Sequence, residues 1–248
     1  MFISARKIET VLAILLIRAG QVVALDQLIS EIWGEDPPRR AAAGIHVYIS
    51  QLRKFLNRPG PEGSVIVTRP PGYVLHMHDD EIDVDAFMRL MNKGRMHARE
   101  RRHEDAAICF ENALAMWRGP AVGDIRDGST IMGFVTWLEE ARLECIEILM
   151  NSYLELGHHR ELVGRLYSLT REYPLYEAFY RHLMLALYRS ERQAEALAVY
   201  QTARRVLNSE LGLEPCRALR ELQRAILTAT DDFGTDLRDT PINLLPRG

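Results

Sequence analysis

The chain has 248 residues, of which 47% are hydrophobic and 26% charged, with a net charge of −3. That length suits one large domain or two ordinary ones, and the composition is that of a water-soluble globular protein. No run approaches the roughly 18 apolar residues of a membrane span. The opening Met1-Phe2-Ile3-Ser4-Ala5-Arg6-Lys7-Ile8-Glu9 puts charges where a signal peptide needs an apolar core, so the expectation is a cytoplasmic protein with no membrane association.

Charge is unevenly spread. Between Pro37 and His78, six basic residues (Arg39, Arg40, Arg53, Lys54, Arg58 and Arg69) face one acid, Glu62, whereas the segments on either side are net acidic. One short basic stretch in an acidic chain is expected where that stretch meets a polyanion.

Helical periodicity opens with Ile8, Val11, Leu12, Leu15 and Leu16 and stops at Gly20. A short β-prone link, Gln21-Val22-Val23-Ala24, leads to a second amphipathic helix marked by Leu25, Leu28, Ile29, Ile32 and Trp33 and ended by Gly34 and Pro37-Pro38. A third helix is predicted from about Arg40 to Leu56, burying Ile45, Ile49, Leu52 and Leu56. Val65-Ile66-Val67-Thr68 and Gly72-Tyr73-Val74-Leu75 then flank Arg69-Pro70-Pro71, a pattern of two strands around a proline-stiffened tip. Three helices and a hairpin make a winged-helix order.

From about Asp83 to Thr230 the pattern is helical nearly throughout, and it repeats. With Arg101, Gly157 and Glu191 aligned as inter-helix turns, Ala106, Leu162 and Ala196 fall five residues later and Ala113, Leu169 and Ala203 seven beyond that. The last two units are offset by the tetratricopeptide period of 34 residues, and Pro174 ends one repeat. The first unit is offset further because Gly119 to Thr136, rich in glycine and without a helical period, reads as an insertion. The tail from Asp231 to Gly248 carries acids, two prolines and no periodicity, and is expected to be disordered. The fold class is thus mainly α: a winged helix over 1–79 followed by an all-α TPR-like domain over 80–230.

These residues carry a resemblance. Ala113-Leu114-Ala115-Met116-Trp117-Arg118-Gly119, Leu138-Glu139-Glu140-Ala141-Arg142, Tyr173-Pro174-Leu175-Tyr176-Glu177, Arg192-Gln193-Ala194-Glu195-Ala196-Leu197 and Glu210-Leu211-Gly212-Leu213-Glu214-Pro215 resemble the bacterial transcriptional activator domain. Leu28-Ile29-Ser30-Glu31-Ile32-Trp33-Gly34, Val47-Tyr48-Ile49-Ser50-Gln51-Leu52-Arg53-Lys54 and Val67-Thr68-Arg69-Pro70-Pro71-Gly72-Tyr73 resemble an OmpR-type winged helix. The two in this order are similar to the Streptomyces antibiotic regulatory protein (SARP) family over roughly residues 5 to 230. Members usually carry a small N-terminal β-sheet, whereas this sequence opens almost at the first helix, so that either the true start lies upstream or the sheet is lost. Ala24 stands where a Ser or Thr helix cap is usual, and Glu191 where many members have Gly.

In a helix-turn-helix the second helix of the motif lies in the major groove. The helical wheel of the third helix turns Ala43, His46, Val47, Ser50, Gln51, Arg53 and Lys54 outward or to the flank. The resemblance implies base contacts from Val47, Gln51 and Arg53. The chemistry suits them, since Gln pairs with adenine, Arg with guanine, and a Val methyl packs on thymine. Backbone contacts are expected from Arg39, Arg40, Ser50 and Lys54, and Thr68 and Arg69 at the hairpin tip are expected to touch the backbone or the minor groove.

Trp33, Trp117 and Trp137 are expected to pack cores. His76-Met77-His78-Asp79-Asp80 and His158-His159 are assigned no metal, and no cofactor is expected. The chain has no phosphate loop, nucleophile elbow, zinc-protease helix or dinucleotide fingerprint, so no enzyme is expected. Two functions compete. The first, which the resemblance implies, is a transcriptional activator of antibiotic and other secondary-metabolite genes. It would act at the nucleoid, bind double-stranded direct repeats near the promoter −35 element as a cooperative dimer, and recruit RNA polymerase through its sigma factor. The second is a TPR-type interaction adaptor whose winged helix no longer reads DNA.

Overall fold

The computed structural model describes residues 6–56, 64–77 and 80–228. The predicted disordered tail and His78-Asp79 of the histidine-aspartate run lie outside the described residues. Ten helices and three short strands are present among the described residues. They group into two compact units, one of residues up to Met88 with Ala115–Leu143, the other of Arg89–Leu114 with the residues from Glu144 onward.

In the first unit α1 (Arg6–Ile17), α2 (Leu25–Trp33) and α3 (Ala41–Leu56) follow the predicted periodicities to within about two residues. Their inward positions Val11, Ile14, Leu15, Leu28, Ile45, Ile49 and Leu52 are almost fully buried, forming one small core. The β-prone link becomes β1 (Val23–Ala24), which joins β2 (Ile66–Arg69) and β3 (Gly72–Leu75) in a sheet of order β1-β3-β2, antiparallel throughout. Gly72 is required where β1 crosses β3, because a Cβ there would lie 1.8 Å from the Val23 carbonyl oxygen. Ala24 precedes α2 in extended conformation without a side-chain cap, as the sequence implied.

The expectation of a non-helical insertion up to Thr136 is corrected. Helix α6 runs over Ser129–Glu155, so its first turns fall inside that segment. Ile131, Val135 and Leu138 are buried on one face, a helical spacing that neighbouring Gly128 and Gly133 obscure. What starts the helix is a distant carboxylate. Glu31 of α2 is 9% exposed and accepts hydrogen bonds from the Ser129 hydroxyl (3.0 Å), the Thr130 hydroxyl (2.6 Å) and the Thr130 amide (3.1 Å). A negative charge bonded to the orphan donors of a helix N-terminus is favourable on both hydrogen-bond and dipole grounds. Gly128, at φ +87°, leaves room for it, since a Cβ there would stand 2.0 Å from Glu31 Oε2. Arg6 adds an exposed ion pair to Asp127 at 2.8 Å.

The second unit contains the repeats. Arg101, Gly157 and Glu191 all adopt positive φ, at 59°, 85° and 66°. Each turn makes the same two hydrogen bonds. The amide of the aligned residue reaches three residues back (Arg101 to Ala98, Gly157 to Leu154, Glu191 to Tyr188), and the next amide reaches five back (Arg102 to His97, His158 to Tyr153, Arg192 to Leu187). This is the Schellman motif, which needs a left-handed residue and so favours Gly, present here only at 157. Ala106, Leu162 and Ala196, with Ala113, Leu169 and Ala203, are buried as the alignment requires. Helix approach is close. A Cβ on Gly94 would meet the Phe110 ring at 2.7 Å.

Cys109 and Cys145 are buried and Cys216, just after the Glu210–Pro215 turn, is exposed. One further expectation is corrected. Trp137 is 45% exposed; it packs on Phe134 of its own helix, at 5.6 Å between ring centres, while the inward sites of α6 are taken by Val135 and Leu138.

Two measurements follow from the packing. Glu31→Ala, which removes the carboxylate from the start of α6, is expected to lower stability by about 2–3 kcal/mol in urea denaturation; an unchanged midpoint would contradict the capping role. His182 is 1% exposed, and burial, with Arg181 adding, pushes its imidazole down to about 3 from 6.5. It is therefore neutral when folded but takes up a proton near pH 6.5 when unfolded, so its contribution is full above that pH and is lost as pH falls toward 3. Between those limits the chain should lose about 1.4 kcal/mol of stability per pH unit from this group, a slope that His182→Leu removes.

Candidate nucleic-acid interface

The interface is built on α3. Three alanines, Ala41 to Ala43, give the helix a start of high propensity, anchored by the Ala41 amide donating to the Pro38 carbonyl at 2.9 Å. Ile45, Ile49 and Leu52 are 0–1% exposed and fix one face inward. Against α2, Trp33 stacks on Tyr48 at 6.4 Å, and the end of its ring lies 3.5 Å from where a Cβ of Gly44 would be. Lys7 of α1 sits over the same indole at 4.7 Å.

Opposite the buried face, Val47, Ser50, Gln51 and Lys54 are all exposed. Their spacing of three, four and seven residues lines them up along one stripe of the helix surface. Val47, at 52% exposure, is an apolar side chain held in water. Arg39 and Arg40 lie exposed in the turn that precedes Ala41, and Thr68 and Arg69 are exposed at the end of β2 beside the Pro70-Pro71 tip. The two basic flanks and the outward stripe are thus parts of one motif with a shared core.

Arg53 departs from that stripe. Its side chain is half-buried and turns toward the hairpin. Nε donates to the Ile66 carbonyl at 2.9 Å and Nη2 to the Thr68 hydroxyl at 2.8 Å, with the guanidinium 5.9 Å from the centre of the Tyr73 ring. His46, seven residues earlier on the same flank, meets the same tyrosine: its Nδ1 lies 2.6 Å from the Tyr73 hydroxyl. Tyr73, 5% exposed and paired with Thr68 across the ladder, was not singled out from sequence. The available signal was the heptad spacing of His46 and Arg53, which puts two polar groups on one flank with a strand to receive them. Among the described residues no group of three or more His, Cys, Asp or Glu is placed to hold a metal ion, and no helix is long and apolar enough to cross a membrane.

Comparison with known proteins agrees with this architecture. Residues 82–227 match the family described as bacterial transcriptional activator domain, and residues 5–75 that described as transcriptional regulatory protein, C terminal. The regulatory protein DnrI of Streptomyces peucetius is 37% identical over 94% of this chain and 87% of its own length. The transcriptional regulator RedD of Streptomyces coelicolor is 35% identical over 91% of this chain and 65% of its own. The regulatory protein AfsR of Streptomyces griseus is 37% identical over 91% of this chain, which spans only 22% of that longer protein. A solved structure, Mycobacterium tuberculosis EmbR in complex with a low-affinity phosphopeptide, superposes with a TM-score of 0.87 at 32% identity, covering 97% of this chain and 63% of that one. With both family matches in order and relatives of this identity along nearly its whole length, the chain belongs to the SARP family of transcriptional regulators.

Proposed function

We propose that this chain is a sequence-specific DNA-binding activator of secondary-metabolite genes, with residues 1–79 reading DNA and residues 80–230 forming the activator module. The observation that carries this reading is the exposed stripe of Val47, Ser50, Gln51 and Lys54 on a helix whose opposite face is locked into a core. α3 enters the major groove. Gln51 pairs with a base edge, adenine by its chemistry, while Val47 packs its methyls on thymine. Ser50 and Lys54 hold the phosphates alongside, Arg39 and Arg40 grip the backbone at the helix start, and Thr68 and Arg69 touch it from the hairpin.

The relatives named as regulators support the biological setting. On this reading the operator consists of direct repeats near the −35 element, occupied by a cooperative pair of protomers spaced by a helical turn. The activator module then engages RNA polymerase, including its sigma factor, and the protein works in the cytoplasm on the nucleoid.

The experiment separates reading from gripping. On operator DNA selected from a random pool, Gln51→Ala should weaken binding by about 1–3 kcal/mol and flatten discrimination at one base position. Lys54→Ala should weaken binding to operator and random DNA alike and reduce the salt slope by about 0.9. Equal losses on operator and random DNA for both variants would refute the division, and failure of the wild type to activate transcription from that operator with purified polymerase would refute recruitment.

A further inference from the structure

We propose that Arg53 is a positioning residue: with His46 and Tyr73 it fastens the hairpin wing to the recognition helix, fixing where Thr68 and Arg69 meet DNA relative to Gln51. This rests on the DNA-binding reading above but gives one of its residues a different task. A guanidinium has five N–H donors in a planar fork. Two are spent within the protein, on the Ile66 carbonyl and the Thr68 hydroxyl, and one face of the fork lies toward Tyr73. Both bonds have a charged donor, the stronger class of hydrogen bond. Swinging Arg53 into the groove would break both and uncover Tyr73.

Direction argues the same way. At about 100° per residue, Arg53 and His46 fall within about 20° of each other, about 110° and about 90° respectively from the middle of the Val47-Ser50-Gln51-Lys54 stripe. They occupy the flank, two turns apart, and both reach the buried Tyr73, His46 at its hydroxyl and Arg53 at its ring. Tyr73 is itself locked by its ladder partners Val23 on one side and Thr68 on the other. Thr68 is exposed, and its hydroxyl oxygen accepts from Arg53, so the residue that ties the wing to α3 is also one that can meet DNA. The wing, two strands of four residues each, has too little ladder of its own to hold a fixed angle, and the clamp supplies it.

The test uses the whole 248-residue chain with Arg53→Met, Thr68→Val and the double variant. Without DNA, amide exchange across residues 66–69 and 72–75 should accelerate about tenfold in Arg53→Met and in Thr68→Val, and the double variant should be no faster than the faster single. On DNA, Arg53→Met should bind a selected operator about tenfold more weakly with its preference at every base position intact, and protection of the backbone opposite the wing should disappear. Arg53→Lys, which keeps the charge but not the fork, should resemble Arg53→Met. Exchange unchanged in the wing, or relaxed discrimination at one base position with wing protection retained, overturns the clamp. Should the wild type itself show no specific complex, the DNA reading fails, and the exchange measurement still decides whether Arg53 holds the wing.

Discussion

Everything the interface does depends on α3 being held on two sides so that a third can stay in water. Its inner face is fixed by burial of Ile45, Ile49 and Leu52, and its flank is tied to the hairpin by the hydrogen bond between His46 and Tyr73 and by those that Arg53 donates. Apolar burial sets the depth of a helix well but resists sliding and rotation poorly, because it is non-directional. The polar contacts to Tyr73, Ile66 and Thr68 are directional and supply the missing constraint. The exposed stripe can then present an apolar Val47 and a polar Gln51 at fixed positions, which base reading by short side chains demands.

The same logic recurs where α2 meets α6. A buried carboxylate is costly unless its lone pairs are satisfied, and Glu31 finds its partners in the unpaired donors at the start of a helix about a hundred residues away in sequence. The arrangement explains two residue choices at once: an acid on an otherwise apolar-facing side of α2, and a glycine at 128 where any Cβ would displace that acid. In the second unit, directionality comes from the backbone. Three identical Schellman turns set the angle of successive hairpins, and alanines at four of the six aligned positions, with leucines at the other two, are buried between the helices.

Much of this was legible in the sequence, for reasons that are local. α2 could be read almost to the residue because its apolar spacing and Gly34 act within one helix length. The three inter-helix turns were legible at Arg101, Gly157 and Glu191 because the repeat placed them in register even where the residue is not Gly. What was hidden depends on distant partners. The start of α6 looked like a glycine-rich insertion because the group that caps it belongs to α2. The β-prone character of Val23-Ala24 was legible, but that it pairs with β3, some fifty residues on, was not, because a two-residue strand has no periodicity of its own. The helical wheel gave the angle of Arg53, yet it could not choose between the groove and a strand lying on the same flank. Trp137 was placed by its residue type in a core that Val135 and Leu138 had already filled.

In the proposed function the stripe on α3 reads sequence while its basic flanks grip phosphate, and titrating the 248-residue chain against a selected operator and a scrambled duplex of the same length at two salt concentrations tests both at once. The expected result is a tighter complex on the operator that resists scrambled competitor, with affinity for both duplexes falling as salt rises because Lys and Arg contacts release counterions. Equal affinity for the two duplexes, or binding that salt does not weaken, would contradict it.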